Sequence, residues 1–220
     1  MHIDDGLRNI IKEEGGWPLS DDVLNQFLEN GQKVLLAKGD FIIKPGTIDR
    51  SIWITAKGVA KAIYDDGNRQ YVFGFSGPGT ITMSPISYVL GREAFCGFQT
   101  ITECEMIRIE KDDFDNLMKS SDEFARWMFG VLICQFCAFE LKTQILSDGD
   151  ATSKFKALVK HQMKLDKDGF DPYRPDLLSV ISSKDLASYI GITQSYLSNI
   201  RKAIIDEDRK SKDNGESAEF

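Results

Sequence analysis

The chain has 220 residues, 42% of them hydrophobic and 28% charged, with a formal net charge of -7. That length builds one or two domains with a real core, and the composition is that of a soluble globular protein. The acidic balance excludes a polybasic nucleic-acid binder as a whole, so any basic surface must be local.

The first residues, MHIDDGLRN, are acidic and polar and read as having no secretory signal. Residues 1–38 read as helical. Within them Ser20 precedes DDVLNQFLENG: a hydroxyl cap, two acids in the first turn, and Gly31 at the close. From Gly39 to Ile109 the character changes. FIIK, SIWITA, VAKAIY, QYVFGF and EMIRI are short and rich in β-branched and aromatic residues. Turn signals separate them at Pro45-Gly46, Lys57-Gly58, Asp65-Asp66-Gly67-Asn68 and Gly77-Pro78-Gly79. Strands at this spacing predict a sandwich or jelly roll, and DDGN predicts a hairpin.

After Lys111 the period becomes helical. Phe124, Trp127, Val131, Cys134, Ala138, Leu141 and Ile145 recur at the 3–4 spacing of a coiled-coil seam. The other side carries Met128, Leu132, Ile133, Phe136 and Phe139. A helix apolar on both sides needs two partners. The β domain and the same helix of a second chain supply them in a homodimer; a buried helix in a monomer is the other solution. The apolar run Trp127 to Phe139 is too short to span a bilayer, so no membrane partner is expected. The chain reads as cytoplasmic, with Cys96, Cys104, Cys134 and Cys137 as free thiols. Cys134 and Cys137 have CxxC spacing, but one such pair falls short of four metal ligands. Small apolar residues on a packed helix explain them; Cys134 on the seam keeps thiol sensing open. No nucleophile elbow, phosphate loop or HExxH occurs, so no enzyme, metal or cofactor is expected.

Ser147-Asp148-Gly149-Asp150 breaks the helix, another helix runs to about Lys164, and DKDGFDPYRPDLLSV reads as a loop. A helix–turn–helix pattern then starts at Ser183. Leu186, Ile190, Ile192, Leu197 and Ile200 are its apolar positions, Ala187 is the small residue at the crossing, Gly191 is the turn, and Thr193 caps the second helix. At about 100° per residue, Gln194, Ser195, Ser198, Asn199 and Lys202 share one arc, with Arg201 at its border. Tyr196, Leu197, Ile200, Ala203 and Ile204 share the other. Amides and hydroxyls without carboxylates suit base edges and do not repel phosphate. Gln194, Ser195, Ser198 and Asn199 are therefore base-reading candidates; Lys184, Thr193, Arg201 and Lys202 are phosphate candidates. The same arc is also what a solvated face of a structural three-helix unit presents. Residues 151–205 carry nine Lys/Arg against five Asp, a mildly basic segment. Residues 206–220 carry three basic and six acidic residues and read as a disordered tail.

This order of β-roll with glycine turns, long apolar helix and helix–turn–helix resembles the cyclic-AMP receptor/Fnr (Crp/Fnr) family of bacterial transcription regulators, from about Asn30 to Glu207. The resemblance implies an α+β fold with a cyclic-nucleotide-binding-like β jelly roll at 1–121. It implies a dimerisation helix at 122–146, a helix–turn–helix (winged-helix-like) domain at 147–205, and the tail at 206–220. It implies a homodimer on palindromic double-stranded DNA, RNA polymerase as a partner, and a roll that senses a signal. The family often adds a β-hairpin wing after its recognition helix; here the charged tail starts at Asp206 instead.

The family's cyclic-nucleotide members hold the phosphate with a Gly-Glu pair and, about ten residues on, an Arg-Ser pair. Met83-Ser84 and Ala94-Phe95 stand there in this chain. A phosphate buried without a cation is costly, so cyclic AMP is not expected; Arg92, two residues off, is the available substitute. Phe73, Phe75, Met83, Ser84, Arg92, Ala94 and Phe95 either line a pocket for an unknown small-molecule effector or fill the roll. The iron–sulfur branch needs N-terminal cysteines, and none precedes Cys96; the haem branch needs ligands that His2 and His161 are badly placed to supply. The alternative function is a non-DNA signalling module whose roll binds a ligand and whose helical end binds a protein.

Overall fold

The computed structural model describes residues 3–67, 69–147, 149–157 and 177–213. Helices α1 (Asp5–Glu13) and α2 (Asp21–Glu29) lead into strands β1 (Gln32–Leu36), β2 (Phe41–Ile43), β3 (Ile52–Lys57), β4 (Ala60–Asp65), β5 (Gln70–Ser76) and β6 (Ile81–Thr82). Then come α3 (Pro85–Leu90), β7 (Cys96–Thr100), β8 (Cys104–Ile109), α4 (Lys111–Ser120) and α5 (Asp122–Ser147). A helix α6 covers 151–157, and α7 (Leu177–Val180), α8 (Ser183–Ile190) and α9 (Gln194–Asp213) follow. The chain forms two units: Met1–Glu140 with Asp171–Val180, and Leu141–Phe170 with Ile181–Phe220. The division falls inside α5. Most of that helix goes with the β unit, whereas the sequence reading set residues 122–146 apart.

In the first unit the strands make two antiparallel sheets, ordered β1-β8-β3-β6 and β2-β7-β4-β5. This is the jelly roll expected. The β4–β5 hairpin turns at Asp65-Asp66-Gly67, as DDGN predicts. Three strands escaped the reading: β1 lies in the stretch read as helical, and β6 and β7 were not singled out. Strand β3 of the first sheet is buried on both faces, which is why it reads as a nearly continuous apolar run. Ile52, Ile54, Ile107 and Ile109 point to a helical cluster outside the roll. Trp53, Cys104 and Met106 point inward, where Ile42, Ile43 and Ala60 of the second sheet meet them.

Helices α1, α2, α4 and the first turns of α5 bury their apolar faces on that outer cluster. The Phe27, Phe114, Phe124 and Trp127 rings pack there at centroid distances of 4.8–6.1 Å. Ser20 caps α2 by accepting the Val23 N–H, as expected. Trp127 donates its indole N–H to the Lys12 carbonyl at 3.1 Å. The chain between α1 and α2 crosses α5 at two glycines. A Cβ on Gly130 would stand 1.9 Å from the Gly15 carbonyl oxygen, and one on Gly15 2.4 Å from that of Trp127.

In the second unit α8 and α9 are joined by a short turn. The chain from Asp206 to Asp213, read as disordered, is helical as the end of α9. Residues 214–220 and most of the 166–180 loop lie outside the described residues, while α7 occupies the loop's end. Among the described residues the second unit has no strand.

Candidate effector pocket and nucleic-acid interface

The seven residues assigned to an effector pocket are not brought together. Ala94, 2% exposed, joins the inner cluster with Ile42, Ile43, Trp53 and Met106. Its backbone is tied to the loop after β2, accepting from Gly46 N–H at 2.9 Å and donating to the Thr47 carbonyl at 2.8 Å. Met83 packs on the outer helical cluster instead. Ser84 is buried and caps α3, accepting the Ser87 N–H at 3.3 Å. Arg92 and Phe95 are exposed, so Arg92 does not supply a buried cation. Phe75 pairs with Lys61, which alternates with Ala60 and Ala62, so period two puts it on the face away from the inner cluster. Phe73 falls where the β4–β5 register shifts. Apolar packing and a helix cap thus occupy the positions that bind phosphate in the cyclic-nucleotide members. A cleft of about 850 Å³ opens elsewhere in the first unit, lined by Leu7, Ile10, Gly58, Pro78, Thr102 and Glu103 among others, and it includes none of the seven.

The structure corrects the phase of the α5 seam. Phe124, Trp127 and Val131 are fully buried inside the chain and cannot face a second copy. Cys134 and Ala138 are exposed on the same side, past the end of the core, and the side chains of Leu141 and Ile145 lie outside the described residues. The exposed apolar stripe is the opposite one: Phe129, Leu132, Phe136 and Phe139, at 3–4–3 spacing, with Ile133 beside it. Gln135 donates to the Ile81 carbonyl at 3.0 Å and so belongs to the core side. The longer stretch Asp122–Gln144, whose most apolar window reaches a mean hydropathy of 1.4, is long and apolar enough to cross a membrane by length and composition alone. Its first turns, however, are core of the first unit. Among the described residues no group of three or more His, Cys, Asp or Glu could hold a metal. Burial pushes the Cys134 thiol above its ordinary range, with Glu14 and Cys137 adding to the shift.

In the second unit, Ser182 caps α8 by accepting the Asp185 N–H at 3.0 Å. Gly191 ends α8 at φ 80°, and Thr193 caps α9 by accepting the Tyr196 N–H at 3.2 Å. Leu186, Ala187, Ile190, Leu197 and Ile200 are buried. Gln194, Ser195, Ser198, Asn199 and Lys202 are all exposed on one arc of α9, and Lys184 is exposed on α8. Tyr196 and Ala203, assigned to the packed arc, are exposed. Arg201 is turned inward: it donates to the Ser183 hydroxyl at 2.9 Å and its guanidinium lies 6.0 Å from the Phe155 ring centroid. That corrects its role as a free phosphate contact; it ties the two helices together. Sequence reasoning missed Lys142, whose ammonium lies 4.1 Å from the Tyr189 ring centroid. Burial lowers its pKa to about 8.

Comparison with known proteins agrees with this architecture. Residues 33–121 match the family model of the cyclic nucleotide-binding domain. No curated protein matches the chain. The c-di-GMP responsive global regulator CLP of Xanthomonas campestris has a similar structure at 17% identity and a TM-score of 0.66, over 86% of this chain and 93% of that one. FixK2 from Bradyrhizobium japonicum is similar at 12% identity and 0.65, over 86% and 99%. The Thermus thermophilus catabolite activator protein is similar at 18% identity and 0.52, over 89% and 88%. The likeness to a cyclic nucleotide-binding domain thus lies in residues 33–121, and the chain is similar in fold to these three proteins.

Proposed function

We propose that the protein is a homodimeric, sequence-specific DNA-binding transcription regulator of Crp/Fnr type. It works in the cytoplasm, with RNA polymerase as its downstream partner, and answers a signal in its β-roll other than cyclic AMP. One observation carries the reading: α9 exposes Gln194, Ser195, Ser198, Asn199 and Lys202 together while Leu197 and Ile200 are buried behind them. Uncharged donors and acceptors on an exposed helix face match the code of base edges in the major groove. Thr193, Lys184 and Lys202 stand around that arc for phosphate. A second copy covers the stripe Phe129, Leu132, Phe136 and Phe139, whose narrow 3–4–3 spacing is that of a two-helix seam. Two recognition helices then meet half-sites about one turn, ~34 Å, apart.

The test is selection of sites from a random duplex pool with purified protein and no added effector. An enriched palindrome supports the reading. No enrichment, with or without cell extract, sinks it and assigns the helical end to a protein partner.

A further inference from the structure

The segment that binds phosphate in cyclic-nucleotide members brackets α3, and in this chain α3 is gripped from outside. Tyr88 of α3 donates its hydroxyl to Oδ1 of Asp115 on α4. The other oxygen of Asp115 accepts from Lys111, one turn earlier on α4. The Lys111 ammonium also lies 4.2 Å from the Tyr88 ring centroid, closing a three-membered cluster. Beneath it, the Tyr88 ring meets Phe114 edge to face at 5.9 Å. Ser87 donates to the Arg92 carbonyl at 2.8 Å and fixes the end of α3 on the following loop. Every polar atom of the cluster is used, and none of it needs a ligand.

Burial opposes ionisation of Asp115, but the hydrogen bonds from Lys111 and Tyr88 outweigh it and hold the carboxyl below its ordinary range. Burial first, and Asp115 second, hold the Tyr88 hydroxyl protonated. The Asp115 carboxylate therefore stays charged and the Tyr88 hydroxyl protonated across neutral pH. Hydrogen bonds to charged groups are the strong ones, and a tyrosine stapled by ring and hydroxyl leaves a six-residue helix little freedom.

We infer that the Tyr88–Asp115–Lys111 cluster takes the place of a small effector, locking α3 on α4 so that the DNA-binding state of the roll forms without a ligand. This rests on the DNA-binding reading above, and it assigns regulation to whatever breaks the cluster rather than to whatever fills a pocket.

The experiment is hydrogen exchange on the full chain without any added ligand, for wild type, Tyr88→Phe and Lys111→Gln, alongside duplex affinity by fluorescence anisotropy. Tyr88→Phe keeps the ring and its packing. The expected result is a protected α3 in wild type, exchange at 85–90 roughly tenfold faster in both variants with the sheets unchanged, and duplex affinity lowered in step. An unprotected α3 in wild type, or wild-type exchange in both variants, overturns the lock. Faster exchange with unchanged affinity overturns its link to DNA. If wild type binds no duplex at all, the DNA-binding reading fails, and the claim that the lock sets a DNA-binding state fails with it. The exchange data still decide separately whether α3 is clamped.

Discussion

Trp127 and Phe129 stand two residues apart on α5 and face opposite ways: the first is 1% exposed, the second 60%. One apolar side of α5 is thus core of its own chain in its first turns, and the other is bare. Phe136→Glu, or Phe129→Glu, should leave the fold intact and convert a dimer to a monomer, read by light scattering. Trp127→Ala should instead unfold the chain more easily, by about 3–5 kcal/mol, because it empties a core position. A Phe136→Glu protein that stays dimeric removes the stripe as the seam.

The approach of α5 to the α1–α2 connection leaves no room for a methyl group. A Cβ on Gly130 meets the Gly15 carbonyl oxygen at 1.9 Å, backbone against backbone, where neither side can rotate away. Gly130→Ala should destabilise the first unit by at least the ~1–3 kcal/mol typical of overpacking. That lowers Tm by about 2–4 °C per kcal/mol in a protein of this size. An unchanged melting curve would mean the helix does not cross there.

The glycine turns, the Ser20 cap and the Gly191-Thr193 turn were legible because each needs one residue type for one backbone reason. The phase of α5 was not. When both sides of a helix are apolar, periodicity gives the spacing but cannot say which side meets the rest of the chain. Phe129 carried the missing signal: with Leu132, Phe136 and Phe139 it makes the aromatic stripe. Strand β1, QKVLL, was lost because its pattern suits a helix end as well as an edge strand. Of the seven pocket residues only Met83, Ser84, Ala94 and Phe95 came from alignment to a motif, with Arg92 two residues off and Phe73 and Phe75 added as apolar neighbours; a register shift and a helix cap separate them. Arg201 looked like a surface charge because nothing local reveals Ser183 and Phe155 beside it.

Cyclic AMP should not bind. With Ala94 packed in the inner cluster, Ser84 used as a cap and Arg92 at the surface, the phosphate meets no buried cation. Calorimetry with cyclic AMP should give no saturable heat up to about 1 mM, a limit of roughly -4 kcal/mol. A micromolar isotherm would contradict the arrangement of these three residues.

The second unit should gain stability in mild base. The Lys142 pKa is about 8 in the folded chain against an ordinary 10.5, because burial opposes its charge. Between those values the unfolded state binds more protons, so stability rises with pH from about 8 upward. Tyr189 and the Cys96, Cys104 and Cys134 thiols, whose pKa values burial raises, work the other way above their ordinary values of 10.0 and 9.0, so the clean window ends near 9. Thermal melts from about pH 7.5 to about 9 should climb for wild type and flatten for Lys142→Met. Parallel curves for the two proteins would show that Lys142 is solvated.

Asn199 and Lys202 share the exposed arc of α9 but should fail differently. An amide reads a base through two directed hydrogen bonds, so Asn199→Ala should relax sequence choice at one position and lose about 1–3 kcal/mol on the preferred site. An ammonium acts on the phosphate charge, so Lys202→Ala should weaken all duplexes alike and lower the salt slope by about 1. Arg201→Ala should do neither first; it removes the tie to Ser183 and should appear as a lower Tm. Anisotropy titrations of preferred and scrambled duplexes at several salt concentrations separate the three. If Asn199→Ala weakens both duplexes equally, its side chain reads no base and the arc is a phosphate surface.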